Sequence, residues 1–276
     1  MRAADQRRMT VNRRMWDESV PLHLASRSYD VPGFRSGRNP LARVELEELG
    51  PVRGRSLLHL QCHFGMDTLA WARLGARVTG VDFSPPAIRA ARELADELGV
   101  NARFVRSNVY DARRHLPGRF DIVYTGKGAL CWLPSLPRWA EIVARFLNPG
   151  GRFFLLEDHP IAETYGNGRG VKRLRLQHPY FQRGPLRDES EGTYAAPTAR
   201  LRNSLSFSWT HPLSLVLDAL INSGLRVQSV REYPYTYWRR FPFMHEEPDG
   251  YWHLDREEGL IPLMYSVRAE RPRSRP

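Results

Sequence analysis

Cysteine, lysine and long apolar runs are scarce in this sequence. Cys62 and Cys131 are its only cysteines, which excludes a disulfide scaffold and a four-cysteine zinc site and favours a reducing compartment. No C-x-x-C pair occurs and the histidines are scattered, so no metal site is predicted. No apolar run reaches the roughly 18 residues that span a bilayer, and the arginine-rich first residues lack the apolar core of a secretory signal. We therefore expect a cytoplasmic protein without a membrane segment.

The charge is strongly positive and comes almost wholly from arginine. There are 41 basic and 30 acidic residues among 276, which gives a net charge of +11, and Lys127 and Lys172 are the only lysines. The arginines are spread over every segment instead of forming a block, which is typical of a solvated surface. The sequence therefore does not favour a nucleic-acid partner.

Strand and helix patterns alternate from residue 56 onward. Short apolar runs predict seven strands, at 56–60, 77–81, 103–106, 120–125, 152–157, 225–232 and 263–269. Helices are marked between them by caps and glycine stops, as where Ser84 and Pro85 open an apolar face that ends at Gly99. This order predicts an α/β fold, a Rossmann-like doubly wound seven-stranded sheet that is mostly parallel. In such sheets ligands bind beyond the carboxyl ends of the strands.

Two long segments interrupt this alternation. Residues 158–210 and the strongly aromatic residues 233–259 are predicted insertions that form a substrate lid within a domain at 56–270. The aromatic side chains of the second insertion either wall a pocket for an apolar small molecule or form a satellite core. Residues 1–55 are predicted to be an N-terminal extension, and residues 271–276 a tail.

The turn after the first predicted strand carries the clearest signal of chemistry. It reads LLHLQCHFGMDTL, and Gly65 stands where the backbone can approach a ligand closely. The second strand ends at Asp82, about twenty residues past the glycine turn, where a carboxylate can accept hydrogen bonds from both ribose hydroxyls. This pairing indicates a cofactor that contains a nucleoside.

These segments resemble the class I S-adenosylmethionine-dependent methyltransferases. The first motif of that family is usually an acid followed by three spaced glycines; here His59 stands for the acid, Gln61 and His63 for the first two glycines, and Gly65 for the third. LHLQCHFG followed by DTLAWARLGARVTGVDFSPPAI resembles a bacterial branch that carries this variant. FDIVYTGKGALCWLP and LNPGGRFFLLEDHP resemble its fourth and fifth strand motifs. The resemblance covers roughly residues 12–270 and implies the fold and S-adenosylmethionine as cofactor.

A nicotinamide cofactor is the competing interpretation of the same strand–helix–strand unit. It requires a G-x-G-x-x-G turn, because two close glycines let a pyrophosphate rest on the helix N-terminus. Gln61 and His63 have side chains at those positions. S-adenosylmethionine has no phosphate, so a bulkier turn is compatible with it.

The resemblance also implies roles for individual residues. Gly65, Gln61 and His63 would border the methionine moiety, Asp82 the ribose, Phe83 and Asn108 the adenine, the Val109 amide a ring nitrogen, and Thr125 with Gly126 the methyl group. In similar enzymes an N-terminal segment closes over the cofactor, so one or more of Trp16, His23 and Tyr29 would shield the sulfonium. Simple packing remains open for His63 and the N-terminal residues, and helix capping for Asp82. Lys127 is either a substrate contact or an exposed loop lysine.

A base for proton removal is expected at a strand's carboxyl end or in the lid. Glu157 and His159 follow the fifth strand and His211 precedes a later helix, so these three are the catalytic candidates. Capping, packing or surface roles stay open for each of them, and Glu157 with Asp158 would alternatively bind a cationic substrate.

The function predicted from these motifs is transfer of a methyl group from S-adenosylmethionine to an O, N or C atom of a small-molecule metabolite. Two alternatives remain: an RNA or protein methyltransferase that docks through its arginines, and a protein that binds the cofactor without transferring methyl. The oligomeric state stays open.

Overall fold

A computed structural model describes residues 2–168 and 170–273 of the chain, and its centre is one seven-stranded sheet. In chain order the strands are β1 (Ser56–Leu60), β2 (Arg77–Asp82), β3 (Ala102–Arg106), β4 (Phe120–Gly126), β5 (Leu147–Asp158), β6 (Leu186–Glu189), β7 (Leu205–Ser208), β8 (Arg226–Tyr233), β9 (Met244–Glu246), β10 (Trp252–Leu254) and β11 (Met264–Glu270).

The strands of the large sheet lie in the order β3-β2-β1-β4-β5-β11-β8. Pairing is parallel from β3 through β5, and β11 runs antiparallel to both of its neighbours. The predicted Rossmann-like, mostly parallel architecture is therefore confirmed. The strand order reverses between β1 and β4, which is the place where doubly wound sheets open a crevice for ligands.

Within the described residues, seven α-helices surround or extend this sheet. They are α1 (Ala3–Leu24), α2 (Val31–Arg35), α3 (Arg43–Leu49), α4 (Met66–Arg73), α5 (Pro85–Glu97), α6 (Leu136–Phe146) and α7 (Leu213–Asn222). Successive strand residues point to opposite faces, so β1 sends Leu57 into a core with α3, α4 and α5, and Leu58 into a second core with α6 and α7. Both faces are buried, which explains why these strands read as continuous apolar runs.

The sequence predicted an N-terminal extension but not its long first helix, α1. Its buried side chains recur at helical spacing but mix apolar with polar types: Met9, Asn12, Met15, Ser19 and His23. A helix without an apolar stripe gives no amphipathic signal in the sequence. Tertiary partners therefore stabilise a helix that periodicity could not predict.

The two insertions contain small hairpins and are tied to other parts of the chain. β6 pairs with β7 in the first insertion, and β9 with β10 in the second. Asn12 of α1 makes two hydrogen bonds to the backbone of Phe207 in β7, at 2.7 and 2.8 Å. Glu18 accepts the backbone N–H groups of Arg202 and Asn203. These hydrogen bonds thus join the N-terminal helix and the first insertion into one continuous layer, which is called the cover below.

No helix in the described part of the chain is long and apolar enough to cross a membrane.

Candidate active site

A cavity lies at the carboxyl ends of β1, β2, β3 and β4. It contains about 1010 Å³ of space that no protein atom occupies, part of it open to solvent. Its walls are the segments that follow these four strands, together with α1, Tyr29 and Tyr194. Of the eleven residues predicted to bind the cofactor, nine line it: Trp16, Tyr29, Gln61, His63, Gly65, Asp82, Phe83, Asn108 and Val109.

The loop after β1 keeps a glycine-like backbone without the usual glycines. Gln61 has a φ of 60° and His63 a φ of 51°, both in the left-handed region. Side chains there cost roughly 1–2 kcal/mol per residue relative to ordinary backbone. Strain of this kind persists where the surrounding structure enforces it, and it clusters at functional sites. The motif variant therefore preserves the turn and adds two side chains beside the cavity.

Gly65 cannot be replaced without a clash. Its φ is 79°, and a Cβ built on it would lie 2.7 Å from the Phe104 ring and 3.0 Å from the Cβ of Ala91. The backbone thus passes close to β3 and α5 where α4 begins. Glycine therefore suits this position for two reasons: a side chain would clash with its neighbours, and the backbone is left-handed.

Asp82 is buried at the tip of β2 and points back to the loop after β1. Its Oδ2 accepts the backbone N–H of His63 and its Oδ1 that of Ser84, each at 2.9 Å. Burial raises the pKa of this carboxyl to about 6, against the lowering effect of the two N–H donors. The side chain therefore orders the loop, and each oxygen keeps acceptor capacity toward the cavity.

Lys127, predicted as a substrate contact or an exposed loop lysine, lines the cavity and is half-buried at a junction of polar groups. Its Nζ lies 3.1 Å from Oε2 of Glu45 and 3.0 Å from Oδ2 of Asp67, and it donates to the carbonyl of Pro40. Burial opposes its charge, but the two carboxylates raise its pKa. The junction ties the N-terminal extension to α4 and to the end of β4, and no sequence signal pointed to Glu45 or Asp67 as its partners.

Gln61 has a buried polar atom that lacks a hydrogen-bond partner within the described residues. Gln61 donates through Nε2 to the carbonyl of Ala129 at 2.8 Å, whereas its buried Oε1 accepts no hydrogen bond within the described residues. Unsatisfied buried acceptors are uncommon in folded proteins. Because Gln61 lines the cavity, a ligand that donates a hydrogen bond there would satisfy this atom.

The N-terminal segment contributes rings to the cavity wall. Trp16 and Tyr29 line it, whereas His23 is fully buried behind His63, with Nδ1 3.0 Å from Nε2 of that residue. Tyr194 of the first insertion also lines the cavity and shares a hydrogen bond between hydroxyl groups with Tyr29. Sequence reasoning missed Tyr194, because nothing in a loop sequence indicates which tyrosine returns to the sheet.

The predicted adenine and methyl contacts divide into two groups. Phe83, Asn108 and Val109 line the cavity, and Asn108 also caps the following turn by accepting the backbone N–H of Tyr110 at 3.0 Å. Thr125 is fully buried and does not line the cavity, whereas its neighbour Gly126 does. The roles of all these residues toward a ligand stay predictions.

The three candidates for a catalytic base do not line the cavity. Glu157 accepts the backbone N–H groups of Leu130 at 2.8 Å and Asp158 at 3.1 Å, and burial raises its pKa to about 8. His159 is buried, accepts the N–H of Ile161 and lies 2.9 Å from Glu232, and His211 bonds to the carbonyl of Leu133 at 2.8 Å. Their capping and packing roles, left open by the sequence, are visible in these contacts.

The aromatic second insertion forms a satellite core, one of the two roles that the sequence left open, and none of residues 233–259 lines the cavity. Phe241 belongs to a satellite core with Met244 and Leu254. Trp238 instead donates through Nε1 to Asp158 at 3.0 Å, and its ring lies 5.9 Å from that of Tyr194. One part of the insertion therefore packs as a core and another part supports the cover of the cavity.

Metal-binding groups do not converge in residues 2–168 and 170–273. His59 and His63 stand four residues apart, but the His59 ring is buried against Thr68, 2.8 Å away, while His63 lines the cavity. Each histidine therefore has a separate environment.

Comparison with known proteins agrees with this architecture. Residues 58–153 match the family model described as a methyltransferase domain. The ubiquinone biosynthesis O-methyltransferase of Xanthomonas euvesicatoria is 33% identical over 135 residues, which cover 48% of this chain and 56% of that protein. The chain thus spans just over half the length of the curated relatives it matches.

Solved structures share the fold at low sequence identity. An S-adenosylmethionine-dependent methyltransferase from Mesorhizobium loti is 22% identical, with a TM-score of 0.57 over 90% of this chain and 100% of that one. The glycopeptide N-methyltransferase MtfA, in complex with S-adenosylhomocysteine, is 18% identical, with a TM-score of 0.54 over 85% of this chain and 90% of that one. The matched model thus assigns residues 58–153 to a methyltransferase domain, and the chain shares the fold of the solved methyltransferases, as the motifs predicted.

Proposed function

We propose that this protein binds S-adenosylmethionine in the cavity at the carboxyl edge of β1–β4 and transfers its methyl group to a small molecule. The observation that carries the proposal is the juxtaposition of the Asp82 carboxylate with the left-handed loop from Gln61 to Gly65. Both border one enclosed space at the point where the strand order reverses.

The polar groups of the cavity suit the parts of this cofactor. Asp82 would accept the ribose hydroxyls, while Phe83 and Asn108 would border the adenine. The buried Oε1 of Gln61, which lacks a donor, would accept from the amino group of the methionine moiety. Lys127 and Asp67 form an ion pair in the wall of the same cavity. They offer one positive and one negative partner to the methionine moiety, which carries both charges.

The chemistry supplied by the bound cofactor is a methyl group on positively charged sulfur, ready for in-line displacement. The chain's own contribution is alignment and exclusion of water. Trp16, Tyr29 and Tyr194 cover the cavity, and the bonds from Asn12 to Phe207 hold that cover together. The proposed closing role of the N-terminal extension rests on these contacts.

A small-molecule acceptor is favoured over a macromolecule. The cavity is enclosed on one side by α1 and the first insertion. Five arginines instead gather in a depression at the opposite, amino-terminal edge of the sheet, namely Arg113, Arg119, Arg145, Arg271 and Arg273. A polyanion that binds these arginines would therefore lie at the edge of the sheet opposite the cavity. The relative from Xanthomonas euvesicatoria is an O-methyltransferase, which supports oxygen as one candidate acceptor atom, with nitrogen and carbon left open.

Calorimetry with S-adenosylhomocysteine tests the cofactor site directly. Asp82→Ala should weaken binding about 10- to 100-fold, because a hydrogen bond to a charged group contributes roughly 1.5–3 kcal/mol. Asp121→Ala is the matched control: this aspartate also accepts a backbone N–H, that of Ser56 at 2.9 Å, but at the amino edge of the same sheet. The control should bind like wild type.

Turnover separates the remaining alternatives. Transfer of radiolabelled methyl groups should appear with pooled small-molecule extracts and not with RNA or protein fractions. Tight binding without transfer to any fraction would favour a non-catalytic binding protein. Unchanged affinity in Asp82→Ala, or no affinity of the wild-type protein for S-adenosylhomocysteine, would refute the proposed site.

A further inference from the structure

We propose that the depression at the amino-terminal edge of the sheet is a second binding site, which takes a compact anion with several linked phosphate groups. This basic depression is lined by a single acidic residue, Glu141, and by five arginines: Arg113, Arg119, Arg145, Arg271 and Arg273. The cavity assigned to the methyl donor lies at the opposite edge of the sheet, so the two sites are separate.

Four separate segments of the chain bring arginines to the basic depression. Arg119 immediately precedes β4, and Arg145 lies in the last turn of α6. Arg271 and Arg273 follow β11, which is antiparallel to β5 and therefore ends at the edge where β5 begins. Arg113 lies in a short 3-10 helix between β3 and β4. Arginines that are scattered along the sequence thus converge in the folded chain.

These five guanidinium groups gather without counter-charges. None of them forms an ion pair within the described residues, whereas exposed arginines elsewhere do, as Arg35 does with Glu97. Burial and the neighbouring Arg119 lower the pKa of Arg271, because both disfavour its charged form. Self-repulsion of like charges destabilises the compact state, and a bound anion would relieve it.

Two helix ends offset part of this positive charge. Arg271 donates through Nη1 to the carbonyls of Ala144 and Leu147 at the end of α6, at 2.9 and 3.0 Å. Ser223, which follows the last residue of α7, also lines the basic depression. Each helix end is equivalent to roughly half a negative charge, so these ends and Glu141 reduce the five positive charges to about three. The remaining excess suits an anion that carries several negative charges.

The hydrogen-bond donors of the basic depression favour phosphate over carboxylate. A guanidinium group has five N–H donors. Within the described residues only Arg113 and Arg271 use any of theirs, on the carbonyl of Gly118 at 3.0 Å and on the two carbonyls at the end of α6. Guanidinium groups bind phosphate oxygens through pairs of parallel hydrogen bonds. Linked phosphate groups supply many acceptor oxygens in a small volume, whereas a carboxylate supplies only two.

The size of the basic depression favours a small anion over a nucleic acid. It contains about 990 Å³ of space that no protein atom occupies, part of it open to solvent. Sites for small molecules typically enclose roughly 300–1,000 Å³. A specific interface with DNA instead buries roughly 1,000–2,500 Å² of protein surface. A concave site of this volume therefore fits a compact molecule.

Calorimetry with inorganic tripolyphosphate at low salt tests the proposal. The wild-type protein should bind it equally well with and without S-adenosylhomocysteine, because that ligand is assigned to the opposite edge of the sheet. The double variant Arg119→Gln/Arg145→Gln should bind tripolyphosphate about 10- to 100-fold more weakly, since it loses two partners that are both charged and hydrogen-bonding. Both arginines are exposed and make no side-chain hydrogen bond within the described residues, so the variant should fold.

A second double variant controls for net charge. Arg89→Gln/Arg103→Gln removes two exposed arginines from α5 and β3, outside the basic depression, and should bind tripolyphosphate like wild type. Inorganic phosphate and citrate should bind wild type about 10-fold more weakly than tripolyphosphate, or weaker still. ATP, tested on protein saturated with S-adenosylhomocysteine, distinguishes two sources of the phosphate chain. Equal affinity would assign the site to the chain alone, and tighter binding that Arg119→Gln/Arg145→Gln weakens would assign it to a nucleoside triphosphate.

Each of the following outcomes would overturn the proposal. Absence of tripolyphosphate binding, or equal losses in the two double variants, would leave only diffuse surface charge. Displacement by S-adenosylhomocysteine would place the anion in the cavity, and equally tight binding of citrate would exclude selection for phosphate. Tighter binding of a single-stranded oligoribonucleotide, lost in Arg119→Gln/Arg145→Gln, would assign the basic depression to RNA. Because none of these measurements involves methyl transfer, failure here is distinct from failure of the proposed function.

Discussion

The carboxyl edge of the sheet has two halves that differ in what their polar side chains do. After β1 and at the end of β2, the side chains of Gln61, His63 and Asp82 border an open cavity, and the buried Oε1 of Gln61 retains bonding capacity. After β5, Glu157 and His159 are equally buried but are bonded to backbone N–H groups of neighbouring loops. Position at a strand's carboxyl end is common to both halves. In the first half these groups line the cavity, whereas Glu157 and His159 do not.

This difference shows that the sheet's topology fixes the region where a ligand can bind, whereas the loops decide which side chains there can contact it. Glu157, near the end of β5, accepts the backbone N–H of Leu130, so the segment that follows β4 already engages this carboxylate. The short loops after β1 and β2 bond to each other through His63 and Asp82 and leave the space above them open. The predictions below test the two halves separately.

The largest effect is expected at the junction that bounds the open half. Lys127→Met would leave the buried carboxylate of Glu45 and the half-buried carboxylate of Asp67 without their cation, which costs about 3–5 kcal/mol of unfolding free energy. Lys172→Met, the same change at an exposed position, should stay within about 0.5 kcal/mol of wild type. Urea denaturation of both variants measures the difference. Equal stabilities would show that the junction does not hold the open half together.

Gly65→Ala should destabilise the protein by about 2–4 kcal/mol, because left-handed backbone and overpacking penalties combine. Gly99→Ala isolates the first penalty, since Gly99 has a φ of 61° and no atom within 4 Å of its built Cβ. Its cost should be about 1 kcal/mol. Thermal unfolding measures the stability lost by each variant. Equal losses would contradict the close approach of the Phe104 ring to Gly65.

Acid should weaken the open half through its buried histidine pair. His23 has a lowered pKa of about 4, so the unfolded chain binds its proton first as pH falls below about 6.5, and stability is lost between these two values. Between pH 7 and pH 5 this amounts to about 2 kcal/mol. In urea titrations, the unfolding free energy of His23→Leu should fall by about 2 kcal/mol less than that of wild type over this interval. His178→Leu, which changes an exposed site, should follow wild type. Parallel pH profiles for wild type and His23→Leu would contradict the neutral pair.

The smallest change is expected in the closed half. Glu157→Gln replaces one acceptor oxygen with an amide donor opposite a backbone N–H, which costs about 1–2 kcal/mol of stability. The affinity for S-adenosylhomocysteine should remain within twofold of wild type. A tenfold loss of affinity would instead show that the closed half serves the cofactor and would remove the contrast between the two halves.

The fold was largely predictable from the sequence, and the cofactor side of the cavity partly so. Apolar runs and caps located the strands of the sheet, because strands buried on both faces and helices with an apolar stripe follow simple patterns. The same logic failed for α1, whose buried face contains Asn12, Ser19 and His23. The same reasoning chose the catalytic candidates by their position at strand ends alone. It took no account of the backbone N–H groups that Glu157 accepts in the folded structure.

What the sequence determined by itself is the alternation that builds the sheet and the turn that brings residues 61–65 to residue 82, because both depend on contacts between neighbouring elements. Tertiary structure alone decided that Lys127 joins Glu45 to Asp67, and that Tyr194 returns across 165 positions to bond Tyr29. Such contacts depend on where long loops fold back, and no local periodicity encodes that path.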